Sequence, residues 1–231
     1  MKKNFEIENV NTFTRVLRRL YYAIFVERFS GRLKYNFPSN YYRWDLIKYL
    51  IDKHKYSEYL EIGCNEDLLF SKIQIKNKIG VDPMSGGNIR KTSDDFFETN
   101  KKKFDIVFID GLHVYEQVKK DILNSVNCLN EHGIILVHDC MPDSLSKQAV
   151  PRYKKLWTGD VWKAIVDLRQ NENLEIFTCE MDMGIGIIRK GKNSSILKIT
   201  KPINQLKFRD YFNNYKEYLR VISLEDLKKS I

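Results

Sequence analysis

From residue 44 onward the hydrophobic positions alternate between two periods. WDLIKYLIDKHK (44–55) places Leu46, Ile47, Leu50 and Ile51 on one face at helical spacing, which predicts an amphipathic helix. EYLEIGC (58–64) and NKIGVDP (77–83) are short apolar runs stopped by Gly63 and Pro83, and predict strands. SDDFFETN (93–100) predicts a helix with Ser93 as its N-cap and acids in its first turn. FDIVFID (104–110) is almost continuously apolar, the pattern of a strand buried on both faces. In VYEQVKKDILNSVNCLNE (114–131) the apolar positions Val114, Val118, Ile122, Val126 and Leu129 predict a helix that ends near His132-Gly133, with the glycine as C-cap. GIILVHD (133–139) is a further buried strand and GDVWKAIVDLRQN (159–171) a helix. LEIFTCE (174–180) and MGIGIIRK (183–190) form a closing hairpin. The alternation predicts an α/β fold: a doubly wound, mostly parallel sheet covered on both faces, with an antiparallel edge strand.

The core is expected over residues 44–192, flanked by helical additions at 1–43 and 193–231. Both flanks are aromatic, with Phe13, Tyr21, Tyr22 and Phe25 in the first and Phe208, Tyr211, Phe212 and Tyr215 in the second. Packing on the core, a lid and a homodimer surface all fit them. Both are also basic. Lys and Arg number 10 against 4 Asp and Glu in residues 1–50 and 11 against 4 in 189–231, but 18 against 22 in 51–188. Such flanks attract acidic or phosphorylated partners, or are simply solvated surface. At 231 residues and 43% hydrophobic the chain is ordinary globular protein. No apolar run nears the ~20 residues that span a bilayer, and MKKNFEIENV lacks the apolar stretch of a secretory signal, so a cytoplasmic protein is expected. Cys64, Cys128, Cys140 and Cys179 are widely spaced without a C-x-x-C pair, which suits reduced, buried thiols better than zinc or disulfides.

In an open parallel sheet, ligands bind beyond the carboxyl ends of the strands where strand order reverses. At those ends stand Glu61-Ile62-Gly63-Cys64-Asn65, Asp82-Pro83, Asp110-Gly111-Leu112-His113 and His138-Asp139-Cys140, with Thr92-Ser93-Asp94 nearby. Singly, Gly63 and Asp82 are ordinary turn residues and His113 a helix cap. Together, carboxylates and imidazoles at successive strand ends point to a ligand. Gly63 admits a close backbone approach, and Asp82, about twenty residues on, has the spacing of a ribose-binding acid. A dinucleotide fits poorly, because G-x-G-x-x-G is absent and Glu61, Glu66 and Asp67 would repel a pyrophosphate. A ribose joined to a positive charge fits better.

These residues resemble class I S-adenosylmethionine-dependent methyltransferases over residues 58–190, and more closely the small-molecule O-methyltransferases that include catechol and macrolide-sugar enzymes. EIGCNEDLLF resembles the first motif, departing at Asp67 where many members carry a third glycine; VDP resembles the ribose-binding acid, TSDDFF the adenine segment, and FIDGLHVYEQVKKDI with GIILVHDCMP the fourth motif and the segment beyond it. The resemblance implies a Rossmann-like, seven-stranded sheet and an S-adenosylmethionine site of Glu61, Gly63, Cys64, Asn65, Asp82, Pro83, Ser93, Asp94, Asp110 and Gly111. It implies Mg²⁺ ligands at Asp110 and Asp139, while Cys140 in the third position is a poor ligand for a hard cation. Its catalytic group would be His113 and Asp110, then His138 and Asp139, with His113 removing the acceptor proton.

The function expected is methyl transfer to a hydroxyl of a sugar, nucleotide-linked or in a polysaccharide precursor, or of another small metabolite. A nucleic-acid methyltransferase is the alternative in another substrate class; the basic flanks permit it, but no N-P-P-Y tetrapeptide or RNA-binding module supports it. A Rossmann-like interaction protein with a decayed site is the non-enzymatic alternative, and a nicotinamide oxidoreductase is remote because the glycine fingerprint is missing.

Overall fold

The computed structural model describes residues 11–231, so the first ten residues of the 1–43 flank lie outside it. Helix α1 (Thr12–Tyr21) is capped by the Asn11 side chain and runs into a π-helical turn, Tyr22–Val26. Residues 27–42 are largely irregular, and their Leu33 N–H donates to the Asp143 carbonyl at 2.9 Å. Then follow α2 (Arg43–His54), β1 (Glu58–Ile62), β2 (Asn77–Val81), α3 (Ser93–Thr99), β3 (Phe104–Ile109), α4 (Tyr115–Cys128), β4 (Leu129–Val137) and the short α5 (Leu145–Gln148). The chain closes with α6 (Val161–Leu168), β5 (Leu174–Cys179), β6 (Ile185–Lys190), α7 (Phe208–Leu219), β7 (Val221–Ile222) and α8 (Leu224–Ser230).

The sheet order is β2-β1-β3-β4-β6-β5-β7. The first four strands are parallel, β6 runs antiparallel to β4 and β5, and β7 is parallel to β5. The chain goes from β1 outward to β2, then crosses to β3 on the other side, so the order reverses between β1 and β3. Alternate residues feed two layers, as strand pleating requires. Leu60, Val107, Ile109, Ile135 and Ile188 pack under α4, α6 and α7, whereas Tyr59, Ile106, Phe108, Leu136 and Ile187 pack under α2 and α8. Near-continuous apolar strands follow from burial on both faces.

Two expected boundaries move. Thr92, not Ser93, caps α3, its side chain accepting from the Asp95 N–H; Ser93 is the first helical residue. Helix α4 ends at Cys128 and β4 starts at once, so Gly133 lies inside a strand rather than capping the helix. There a Cβ would meet the Asp105 carbonyl and the Leu129 side chain at 2.8 Å, so the glycine serves close packing. The seventh strand, β7, comes from the C-terminal flank, which also buries Phe208, Tyr211, Leu219 and Leu227. All four cysteines are free and buried. Among the described residues no helix is long and apolar enough to cross a membrane.

Candidate active site

Backbone bonds beyond the strands align the residues at their carboxyl ends. The Gly63 N–H donates to Val81, Asp110 to Ile62 and His138 to Ile109, at 2.8–3.0 Å. Gly63 has φ +87, and a Cβ there would overlap the Asp110 carbonyl and lie 2.6 Å from the Gly111 Cα. This contact joins the two strands between which the order reverses. The β1 turn continues with Asn65 at φ 48 and Asp67 at φ 61. Asn and Asp tolerate this left-handed geometry better than other non-glycine residues. That explains how Asp67 stands where a glycine was expected, and its carboxylate accepts from the Gly87 N–H at 2.6 Å. Asp82 accepts from Asn65 N–H through Oδ2 and from Met84 and Ser85 N–H through Oδ1, at 2.8–3.0 Å. A carboxylate has about four acceptor sites, so one remains for a ligand hydroxyl.

Beside this rim lies a charge cluster. His113 Nε2 is 3.0 Å from Asp110 Oδ1 and its Nδ1 is 3.2 Å from Asp139 Oδ2, so the ring bridges two carboxylates. Trp157 stacks on that ring at 5.5 Å. His138 Nδ1 is 3.1 Å from Asp110 Oδ1, and Nε2 is 2.9 Å from the Asp182 carbonyl oxygen. Arg43, the first residue of α2, places Nη1 3.5 Å from Asp110 and within 2.8 Å of the His138 ring, with Nε 3.5 Å from Asp182. Asp139 sits at φ 63, a strained position of the kind that gathers at functional sites.

The cluster sets its own protonation. Burial opposes ionisation of Asp110, but the His138 charge and the His113 hydrogen bond outweigh it and hold the carboxyl far below the usual range. Burial pushes Asp139 up, and the nearby histidines only partly offset this. For His113, burial is overcome by the hydrogen bond to Asp110 and the charge of Asp139, so its pKa is raised. His138 is pushed up to about 10: Asp139 and Asp110 prevail over burial. Arg43 beside it works the other way, but three carboxylates surround the pair.

A histidine whose pKa is raised on folding adds stability that is fully present below its unfolded value and lost as pH rises through the folded one. The stability from His138 is therefore expected to vanish as pH climbs through about 10. Denaturant titrations of wild type and His138→Gln between about pH 7 and 11 should show a shallower fall in the variant. Equal slopes would mean the ring is not protonated in the fold.

Residues 74–140 match the family model Methyltransf_24, described as a methyltransferase domain. The match covers under a third of the chain. The matched stretch runs from just before β2 to just beyond β4 and includes Asp82, Asp110, His113, His138 and Asp139. The methyltransferase PaMTH1 of Podospora anserina, solved with S-adenosylhomocysteine, has a TM-score of 0.51 at 14% identity, over 65% of this chain and 78% of its own. A candidate O-methyltransferase from Klebsiella pneumoniae also has a TM-score of 0.51, at 10% identity, over 78% and 97%. At these identities the likeness is one of fold. No curated protein matches the chain.

Of the expected cofactor residues, Gly63, Asn65, Asp82, Asp110 and Gly111 meet at the rim, and Pro83 lies in the turn whose amides Asp82 accepts. Glu61 is buried and accepts from the Tyr59 hydroxyl at 2.6 Å; burial raises its pKa to about 8. The turn therefore carries less negative charge than its composition suggests. The Cys64 thiol packs in the core against Gly80 and Gly87, leaving only backbone for a ligand. Ser93 and Asp94 are tied to α4 through Gln117, which also bonds Asp121, and Asp121 Oδ2 lies 3.9 Å from where a Gly111 Cβ would stand. Cys140 is not beside the carboxylates: its thiol turns inward and donates to the Val137 carbonyl at 3.3 Å. His113 is instead the third donor, with one ligand atom from each of Asp110, His113 and Asp139 lying within 4.8 Å of the others.

Arg43, Asp182 and Asp121 had no place in the expected site. Arg43 starts α2 and reaches the cluster from a helix distant in the chain. Asp182 sits in the β5–β6 turn with no pattern to mark it. Asp121 looked like one polar position of an amphipathic helix, yet it is buried with its pKa raised to about 6 by desolvation.

Proposed function

We propose that the protein is an S-adenosylmethionine-dependent O-methyltransferase acting on a hydroxyl of a small metabolite, with a sugar as the favoured acceptor. The observation that carries the reading is the meeting of Gly63, Asp82 and Asp110 at the reversal point, with His113 hydrogen-bonded to Asp110. S-adenosylmethionine supplies an electrophilic methyl group on a sulfonium. The rim suits such a ligand: Asp82 retains an acceptor site for ribose, Asp110 stays ionised beside the expected sulfonium, and a nearby cation would draw the proton from Glu61.

His113 is the group that takes the acceptor proton at its Nε2, and Asp110 and Asp139 stabilise the imidazolium that results. At rest those carboxylates already favour the charged ring. The active form is the neutral ring, so activity rises with pH until His113 has lost its proton. Asp82 and Gly63 position the nucleoside, which limits the reaction to an aligned approach of oxygen to methyl.

Asp110, Asp139 and His113 also fit a divalent cation, since Asp139 Oδ1 is buried without a hydrogen bond and the three donors converge. Such an ion would supply Lewis acidity toward the acceptor oxygen. The ion and protonated His113 compete for the same carboxylates, so the site holds one or the other.

Calorimetric titration with S-adenosylhomocysteine tests the cofactor role. Wild type should bind, and Asp82→Ala should bind about 10–100-fold more weakly through loss of charged hydrogen bonds. No binding by wild type, or equal affinity in both, would sink the reading.

A further inference from the structure

A broad groove lies away from the rim. It has a volume of about 910 Å³ and runs between the end of α1, residues 27–32 and Ser144–Ser146. Arg19, Arg28, Arg32, Lys154 and Arg209 line it, all with exposed side chains. Glu27 is the one acid in the lining, and it is committed elsewhere. Its carboxylate is buried and accepts from the Phe208 and Arg209 N–H groups at 2.7 and 2.9 Å, where α7 begins. Five cations thus face the groove against one acid already used by the fold.

Hydroxyls accompany the charge. Ser30, Ser144 and Ser146 line the same space, with Ser144 Oγ 3.3 Å from Ser146 Oγ. Contacts tie two of the walls to the fold. Arg209 lies over the Phe29 ring at 5.3 Å, and the 32–33 segment pairs with the loop after β4 through Arg32 and Ser144. Several arginine forks with neighbouring hydroxyls match the tetrahedral, multiply charged oxygens of a phosphate better than a lone carboxylate. The volume falls in the range of small-molecule sites, about 300–1,000 Å³.

We propose that this groove is a binding site for a phosphate-bearing small molecule. The site is separate from the S-adenosylmethionine rim and does not depend on the methyl-transfer reading, because none of its lining residues belongs to that rim. Ser144, in its lining, follows Asp139 by five residues, a span of at most about 18 Å.

The test is calorimetry with inorganic pyrophosphate as probe, on wild type and on Arg28→Glu/Arg209→Glu, beside a titration with S-adenosylhomocysteine. Wild type should bind pyrophosphate saturably, more weakly as salt rises. The double variant should bind at least about tenfold more weakly, with melting temperature and S-adenosylhomocysteine affinity unchanged. If the charge reversals disturb folding, Arg28→Gln/Lys154→Gln at exposed positions should give the same direction of change. Absence of saturable binding up to about 10 mM at low salt, or equal affinity in the variants, overturns the site. Binding of a short single-stranded RNA but not of pyrophosphate overturns the small-molecule class. Pyrophosphate binding without S-adenosylhomocysteine binding leaves the groove standing and removes only the cofactor reading.

Discussion

Replacing His113 by alanine should lower turnover by about 10²–10⁴-fold, the usual contribution of a positioned base. Affinity for S-adenosylhomocysteine should stay within about threefold. The ring touches Asp110, Asp139 and Trp157 but nothing in the β1 turn or the Asp82 loop. The pH profile separates a base from a mere spacer. In wild type, kcat/KM should rise with pH through a value above that of an ordinary imidazole, because Asp110 and Asp139 hold the proton on His113. In His113→Ala that limb should disappear. A variant that is slow but keeps the same limb would assign the proton to another group, with His138 next in line. Full activity would remove His113 from the mechanism.

Gly63→Ala should be the most damaging single change to the cofactor rim. The residue stands at φ +87, and the new methyl group would overlap the Asp110 carbonyl. A left-handed conformation costs a non-glycine residue roughly 1–2 kcal/mol. Relieving the overlap must also move Asp110, which carries both histidine contacts. Binding of S-adenosylhomocysteine is expected to weaken by more than about tenfold, and Tm to fall by about 2–4 °C for each kcal/mol lost. Gly191→Ala is the control: its φ is also positive, at +141, but no atom lies within 4 Å of the added methyl. It should cost stability and leave binding untouched. Parallel losses of binding in the two variants would show that backbone strain alone, not the approach to Asp110, explains Gly63.

The parallel core was readable because its strands are buried on both faces and its helices on one. Periodicity alone distinguishes those cases, as FDIVFID and the 114–131 helix illustrate. Strand-end chemistry was readable for the same reason: an Asp or His that closes an apolar run must find polar partners, as the buried His138 and Asp139 do in the cluster. What sequence pattern could not give was contact between elements distant in the chain. Arg43 meets Asp110 and His138 only because α2 begins over the carboxyl edge, and Asp182 arrives from a turn 44 residues after His138. The position of Cys140 was misleading in the opposite sense. Counting along the chain put it beside Asp139, whereas the left-handed turn at Asp139 sends the thiol into the core. Gly133 failed similarly: a glycine after a helix reads as a cap until the next strand is known to start four residues earlier.

Helix α2 does more than present Arg43. Its first backbone N–H donates to Asp182 Oδ2 at 2.9 Å, so the positive pole of a twelve-residue dipole points at an acid of the cluster. The electric field at this edge therefore has a contribution from main chain that no side-chain substitution can delete. Asp182 can stand beside the other two carboxylates partly because a helix start is aimed at it, and any relaxation that tilts α2 would alter the acidity of that corner of the cluster.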